Sequence, residues 1–214
     1  MMRRSFPPVN GSASRTSVRS VTGLSSHGIP LALVRDVQRL IFLILTCLLW
    51  VPAAAADLRL EIDLSERRLE AIVDGGSVET FAVSVGKERN PTPTGAFSIR
   101  KVIWNPSWRP PDAEWAREKT AKAPGHPDNP MKRVKMFFQE PDYYIHGTDE
   151  EESLGKAASH GCIRMSPDDV TRLAKLVMEQ GGKPMPEPWY RRIFHRRTTK
   201  VVFLETPVRL QIRS

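Results

Sequence analysis

Apolar and polar residues alternate along several short segments of the chain. The clearest segment runs from Leu58 to Leu64, where every second residue is apolar, as in a strand with one buried face. Leu69 to Val73 follows, and after the turn residues Asp74-Gly75-Gly76 a third alternating segment ends at Gly86. Further strand candidates span residues 97–103, 134–138, 143–146, 200–204 and 208–212. Strands at this spacing predict a mainly β (α+β) domain, built as an antiparallel sandwich or barrel.

One amphipathic helix interrupts this pattern. Ser166 can accept a hydrogen bond as its N-cap, Pro167 suits its first turn, and two aspartates follow at the positive end of the helix dipole. Apolar residues then recur at the spacing of one helix face: Val170, Leu173, Ala174 and Val177. Gly181-Gly182 ends the segment. We therefore predict one main helix in this part of the chain.

Two long stretches carry no clear periodicity. Residues 105–133 are rich in Pro, Trp and charge, and a loop of that length in a compact domain is usually functional. Residues 184–197 combine proline, aromatic and basic residues. They could border a cleft or pack as a surface flap, and the pattern favours the flap.

The N-terminal segment resembles an export signal. Residues 40–51 form a continuous apolar run that follows Arg35 and Arg39, and Pro52 with four alanines comes next. A basic flank, a short apolar run and small residues are typical of a secretory signal peptide. We predict cleavage near Ala56, with an uncleaved membrane anchor as the alternative. The protein would then be exported to the periplasm or cell wall, with membrane contact only through the signal.

The domain organisation follows from these segments. Residues 1–30 are rich in Ser, Arg, Gly and Pro, so we expect them to be disordered or to precede the true start codon. Residues 31–56 form the signal peptide, and residues 57–214 form one folded domain. Charge supports this division, because six of the 32 basic and one of the 24 acidic residues lie in 1–56. The remaining balance of 26 against 23 argues against a nucleic-acid partner.

The candidate chemistry lies between Tyr144 and Met165. After signal cleavage Cys162 would be the only cysteine, so no disulfide within the chain could form and the thiol is a candidate nucleophile. His146 or His160 could act as its base, and the residues alone leave this choice open. Gly161 permits a tight turn that exposes backbone N–H groups to an oxyanion.

Other interpretations of these residues are possible. Cys162 could be a buried apolar residue, although its Gly, His and Arg neighbours are poor core composition. The two histidines and Cys162 could bind zinc, but the spacing lacks paired cysteines and an evident fourth ligand. Arg164 could clamp a substrate carboxylate or simply pair with a carboxylate of the chain. We therefore predict no metal and no cofactor.

The residues His146-Gly147-Thr148, Gly155 and Ser159-His160-Gly161-Cys162-Ile163-Arg164-Met165 together resemble the signature of the YkuD-type L,D-transpeptidase catalytic domain. Residues 91–97 (PTPTGAF) and two loop segments, 124–125 and 129–131, are also similar to that family. The resemblance covers about residues 57–180, while 184–214 would form a C-terminal extension and the closing strands.

The resemblance implies a cysteine acyltransferase that acts on peptidoglycan stem peptides. It implies Cys162 as nucleophile, His146 as base, the Gly147 carbonyl as the group that orients His146, and His160 in a supporting role. It implies oxyanion contacts from the N–H groups of Gly161 and Cys162, and substrate contacts from Arg164; we add Ser159, Thr148 and Tyr144 as substrate-binding candidates.

The acyl acceptor could be a second stem, a lipoprotein lysine or a D-amino acid. Hydrolysis by the same dyad and a non-catalytic wall-binding module are the alternatives. The resemblance further implies inhibition by carbapenems.

Overall fold

A computed structural model of the protein describes residues 57–214. The predicted disordered segment and signal peptide lie outside the described residues. The described part of the chain contains ten strands: β1 Leu58–Asp63, β2 Arg68–Val73, β3 Gly76–Ala82, β4 Val85–Gly86, β5 Gly95–Trp104, β6 Lys132–Gln139, β7 Tyr143–Gly147, β8 Ala157–Ser159, β9 Ile163–Met165 and β10 Lys200–Arg213. It also contains two helices, α1 Pro167–Gln180 and α2 Glu187–His195. The mainly β fold predicted from the sequence is confirmed.

Eight of the strands form one sheet, in the order β3-β2-β1-β10-β5-β6-β7-β9, and β4 pairs with β8 in a second, two-stranded sheet. The large sheet is mixed rather than wholly antiparallel, because β1 runs parallel to β10 and β7 runs parallel to β9. Alternation in the sequence reports which face of a strand is buried and carries no information on strand direction. The two predicted C-terminal strands form one strand, β10, whose register shifts between Phe203 and Val208.

The apolar positions that predicted β1 and α1 build the core. Leu58, Leu60 and Ile62 are buried on one face of β1. The α1 stripe is buried as well, at Val170, Leu173, Ala174 and Val177. Ser166 Oγ accepts a hydrogen bond from the backbone N–H of Asp169 at 3.1 Å, which caps α1 directly after β9. The helix packs on β6 and β7 and thereby supports the strands that carry the catalytic candidates.

Helix α2 was not predicted from the sequence. Prolines at 184, 186 and 188 weaken the helical pattern, yet Pro is compatible with the first turn of a helix, where its missing N–H has no partner to lose. The helix packs its aromatic residues around the buried Trp104, with ring centroids 6.0 Å away for Trp189, 5.2 Å for Tyr190 and 5.8 Å for Phe194. This stretch therefore packs against the core, as the flap interpretation suggested. Neither helix of residues 57–214 is long and apolar enough to cross a membrane.

Candidate active site

The candidate catalytic histidine lies on β7, between two other strands that carry basic residues. His146 pairs with Lys135 of β6 on one side and with Arg164 of β9 on the other. Residues that pair across neighbouring strands project to the same face of a sheet. The face opposite the core therefore presents Lys135, His146 and Arg164 in one row.

The ring of His146 is held by the backbone that follows it. Its Nδ1 lies 2.8 Å from the carbonyl oxygen of Gly147, so Nδ1 carries the proton and donates it to this acceptor. That tautomer leaves Nε2 as the basic nitrogen. Burial lowers the pKa of His146 to about 3, and the charges of Arg164 and Lys135 act in the same direction. The imidazole is therefore neutral at physiological pH and able to accept a proton.

Cys162 lies on the turn between β8 and β9, and hydroxyl groups hold this turn. Ser159 Oγ donates to the Cys162 carbonyl at 2.6 Å and accepts from the Gly161 N–H at 3.0 Å. Thr92 Oγ1 donates to the Gly161 carbonyl at 2.9 Å and accepts from the Gly86 N–H at 2.9 Å. Gly161 has a φ of +107°, which glycine adopts without strain.

These contacts change the expected role of two residues. Because the Gly161 N–H already donates to Ser159, an oxyanion contact from it would require this hydrogen bond to open. Ser159 is buried and holds the turn, so in this structure its hydroxyl serves the backbone rather than a substrate. Both predicted roles need a rearrangement of the turn.

The thiol of Cys162 is partly buried and makes a weak hydrogen bond, from Sγ to the carbonyl oxygen of Asp142 at 3.4 Å. Burial raises the pKa of Cys162, while the neighbouring Tyr144 and the positive charges of Arg164 and Lys135 lower it to a smaller extent. The thiol is therefore protonated at neutral pH. In sites of this kind, contacts between catalytic groups often tighten only when substrate binds.

The raised pKa of Cys162 gives a prediction that needs no substrate. The second-order rate of alkylation by iodoacetamide, followed by intact mass, should increase about tenfold for each pH unit between about pH 6 and 8, because only the thiolate reacts. Cys162→Ala supplies the blank. A rate that is already constant below pH 7 would mean that the thiolate and an imidazolium are formed in the resting protein, contrary to the pKa shifts.

The predicted site residues surround one cavity of about 1250 Å³. Seven of them line it: Tyr144, His146, Thr148, Ser159, His160, Cys162 and Arg164. The long stretch between β5 and β6 lines the other side, through residues that include Trp108, Trp115 and Lys119. None of residues 184–198 is among the lining residues of this cavity.

His160 lies at the edge of the cavity under the long loop. Its ring stacks on the indole of Trp115, with centroids 4.0 Å apart and planes 12° apart, and its Nε2 lies 3.0 Å from Nζ of Lys87. An ammonium can only donate, so Nε2 accepts this hydrogen bond and the proton of the neutral ring is on Nδ1. Burial and the charge of Lys87 lower the pKa of His160. The Nε2 of His160 is thus already engaged by Lys87.

Arg164 and Thr148 contact the acidic segment that follows β7. Arg164 Nη1 lies 2.6 Å from Oε2 of Glu150, so the guanidinium already has a carboxylate partner. Thr148 is buried, and its Oγ1 accepts from the Glu150 N–H at 3.1 Å. Binding of a substrate carboxylate by Arg164 would compete with Glu150 or share the guanidinium with it.

The comparison with known families shows which family the chain belongs to. The family model YkuD, described as the L,D-transpeptidase catalytic domain, matches residues 57–204. The chain belongs to this family. The L,D-transpeptidase homologue YqjB of Bacillus subtilis is 35% identical over 114 residues, which cover 51% of this chain and 60% of that relative. YkuD of Bacillus licheniformis is 34% identical over 119 residues, or 56% of this chain and 59% of its own length.

The matched region spans about three fifths of the length of these two relatives. Among solved structures, the catalytic domain of the L,D-transpeptidase from Enterococcus faecium aligns with a TM-score of 0.48 and 19% identity, covering 73% of this chain and 97% of that one. The L,D-transpeptidase from Mycobacterium smegmatis aligns with a TM-score of 0.47 and 19% identity, covering 74% and 59%.

The candidate site also depends on residues that the sequence did not single out. Thr92 belongs to the PTPTGAF segment that carried part of the family resemblance, and this segment was the only signal for its role in the nucleophile turn. The fold also brings three further residues to the site, and no local sequence pattern marks them: Lys87, Trp115 and Lys135.

Gly147 of the L,D-transpeptidase His-Gly-Thr element has a steric role. A Cβ at this position would lie 2.1 Å from the Lys132 carbonyl oxygen and 3.1 Å from Cγ1 of Val170. Gly147→Ala should therefore push β7 away from β6 and lower the free energy of unfolding by at least about 2 kcal/mol. Urea denaturation measures this change. Gly76→Ala is the matched control, because its added Cβ has no neighbour nearer than 3.7 Å. Equal stabilities for the two variants would contradict the prediction.

Proposed function

We propose that the chain is an exported cysteine acyltransferase that acts on the peptide stems of peptidoglycan. The observation that carries the proposal is the shared cavity, which both Cys162 and His146 line. The imidazole of His146 is neutral, and Nε2 is its basic nitrogen. Membership of the L,D-transpeptidase family supplies the substrate class. The donor would be a tetrapeptide stem whose diamino acid is joined to a terminal D-Ala.

Acylation begins with the thiol of Cys162. His146 Nε2 takes its proton as Sγ attacks the carbonyl carbon of the diamino acid, and a tetrahedral oxyanion forms. The Cys162 N–H is the oxyanion donor in this proposal, with the Gly161 N–H joining if its hydrogen bond to Ser159 opens. The imidazolium then protonates the leaving nitrogen, the C–N bond breaks, and D-Ala departs. The product is a thioester between Cys162 and the stem.

Deacylation reverses the proton path. An acceptor amine attacks the thioester carbonyl, His146 takes a proton from that amine, and the C–S bond breaks as the thiol is reformed. An amine from a second stem gives a cross-link between diamino acids, whereas a lipoprotein lysine or a free D-amino acid gives an attachment product. Two half-reactions that share one covalent intermediate produce ping-pong kinetics.

The remaining site residues are proposed to shape the cavity. Tyr144 pairs its ring edge-to-face with His146 at 5.3 Å and would limit how far the imidazole moves. His160 would hold the loop through Trp115, and Arg164 with Glu150 would border the donor stem. Peptidoglycan lies outside the cytoplasmic membrane, so acyl transfer on its stems requires export. We therefore propose that the protein is located in the periplasm or cell wall after cleavage near Ala56.

Intact-protein mass spectrometry with a purified tetrapeptide muropeptide tests the proposal. With a tetrapeptide whose side-chain amine is acetylated, the protein should gain the mass of the stem less D-Ala; with the free tetrapeptide as acceptor, the adduct should disappear as cross-linked dimer accumulates. Tripeptide alone would favour the hydrolase alternative. A protein that binds muropeptide but forms neither adduct nor product would be a wall-binding module, and the proposed function would be lost.

A further inference from the structure

Lys135 contributes a positive charge to the wall of the catalytic cavity. It pairs with His146 across β6 and β7, and it lines the same cavity as Cys162. On its own strand the neighbours Val134 and Met136 are buried in the core. Lys135 therefore projects to the opposite face, beside the candidate base.

The two cations that flank His146 differ in their partners. Arg164 is paired with Glu150 at 2.6 Å. Lys135 has no carboxylate within 4.0 Å among residues 57–214, and its ammonium lies instead 4.7 Å from the ring centroid of Phe137 and 4.8 Å from that of Tyr144. Of the two cations beside His146, Lys135 is thus the one that has no carboxylate partner among the described residues.

The surroundings of Lys135 favour an anionic ligand. Burial lowers its pKa, as expected when an ammonium loses part of its hydration. A partly buried charge without an opposite charge is unfavourable, and aromatic faces compensate only in part. The rings accept no strong hydrogen bond, so the three N–H donors of Lys135 stay available to a carboxylate.

We propose that Lys135 forms a carboxylate subsite that binds the free C-terminal carboxylate of the peptide donor. This inference rests on the proposed function. His146 protonates the leaving nitrogen, and the carboxylate of the leaving residue is only two bonds from that nitrogen. Side chains that pair across two strands have Cβ atoms about 4.5–5.5 Å apart. A lysine paired with His146 is therefore placed to hold the leaving residue while His146 protonates it.

The subsite has a consequence for specificity. A donor that ends in a free carboxylate would be bound with its last amide bond at Cys162. A donor with a neutral C-terminus would leave Lys135 unpaired, and an internal amide bond would have no carboxylate at the required distance. The protein should therefore remove a single C-terminal residue rather than cut within a stem.

Two donors that differ only at the C-terminus test the subsite: the tetrapeptide stem and the same stem as its C-terminal carboxamide. The kcat/KM of acyl-enzyme formation is measured for the wild-type protein, Lys135→Met and Lys135→Arg. The wild type should prefer the acid. Lys135→Met should lose about 10- to 100-fold more on the acid than on the amide, because only the acid forms an ion pair with Lys135. Lys135→Arg should recover most of the preference.

Lys101→Met is the matched control. Lys101 also lies over Phe137, at 5.2 Å, but it is paired with Glu140 at 2.8 Å and is not among the residues that line the cavity. Its variant should keep the wild-type preference. If Lys135→Met lost the same activity on both donors, Lys135 would act on Cys162 or His146 rather than on the donor, and the subsite would be overturned. A wild-type protein with the same kcat/KM for the acid and the amide would also overturn it. A wild-type protein that acylates with neither donor would overturn the proposed function itself.

Discussion

Cys162→Ala is expected to abolish acyl-enzyme formation from any stem-peptide donor. No other thiol lies within residues 57–214, and removal of the nucleophile from an acyl-transfer dyad costs on the order of 10⁶-fold in kcat. Intact-protein mass spectrometry should show no mass increase after overnight incubation with tetrapeptide. The loss should be chemical rather than structural, since the side chain is partly buried and alanine fits the same turn.

The chain offers a matched control for this experiment. Cys47 is the only other cysteine of the full chain, so Cys47→Ala in the uncleaved chain should leave the adduct unchanged. Cys162→Ser should also form no adduct within the same time, because a hydroxyl is far less acidic than a thiol. Unfolding transitions close to that of the wild type would exclude a folding defect. A stem adduct on Cys162→Ala would show that another residue is the nucleophile.

The sequence was most informative where burial constrained it locally. Leu58, Leu60 and Ile62 could be assigned to one strand face because a half-buried strand needs an apolar residue at every second position. Ser166 and Pro167 could be assigned to a helix start because caps are local interactions. These features depend on residues close together in the chain, so a single sequence is enough to predict them.

The structural features that the sequence did not predict depend on contacts between residues far apart in the chain. Helix α2 forms because its aromatic rings pack on Trp104, which lies more than 80 residues earlier in the sequence. The parallel pairing of β7 with β9 depends on the topology of the whole sheet. The same holds for Lys135, whose position beside His146 is defined by the register of β6 against β7. Such positions require strand order, which alternation alone does not provide.

The nucleophile turn illustrates how local and distant constraints combine. Gly161 was recognisable from the sequence as the residue that permits a tight turn, and its φ of +107° agrees with that interpretation. What holds the turn is Thr92, almost 70 residues away, which bridges the Gly86 N–H and the Gly161 carbonyl. Ser159 adds a second clamp inside the turn. The thiol is therefore positioned by backbone contacts on both sides, which explains why short motifs far apart in the sequence belong to one site.

The two histidines are expected to differ most clearly when each is replaced by alanine. His146→Ala should lower the rate of acylation by about 10²–10⁴-fold at neutral pH, because a positioned base is lost. His160→Ala should have a smaller effect, since its Nε2 is occupied by Lys87 and it contacts Trp115 rather than the thiol. His195→Ala, on the far helix α2, is the control for loss of an imidazole. Single-turnover acylation with tetrapeptide, followed by mass spectrometry, measures all three.

The pH dependence distinguishes a lost base from a disturbed cavity. With the pKa of His146 lowered to about 3, the imidazole stays neutral above that pH, so the wild-type acylation rate should show no decrease between about pH 7 and 5. In His146→Ala only the spontaneous thiolate can react, and burial raises the pKa of Cys162. The variant's rate should therefore increase about tenfold per pH unit, and its deficit should shrink towards alkaline pH. A deficit that is the same at every pH would indicate a steric effect of the substitution, and comparable losses for His160→Ala would reassign the base.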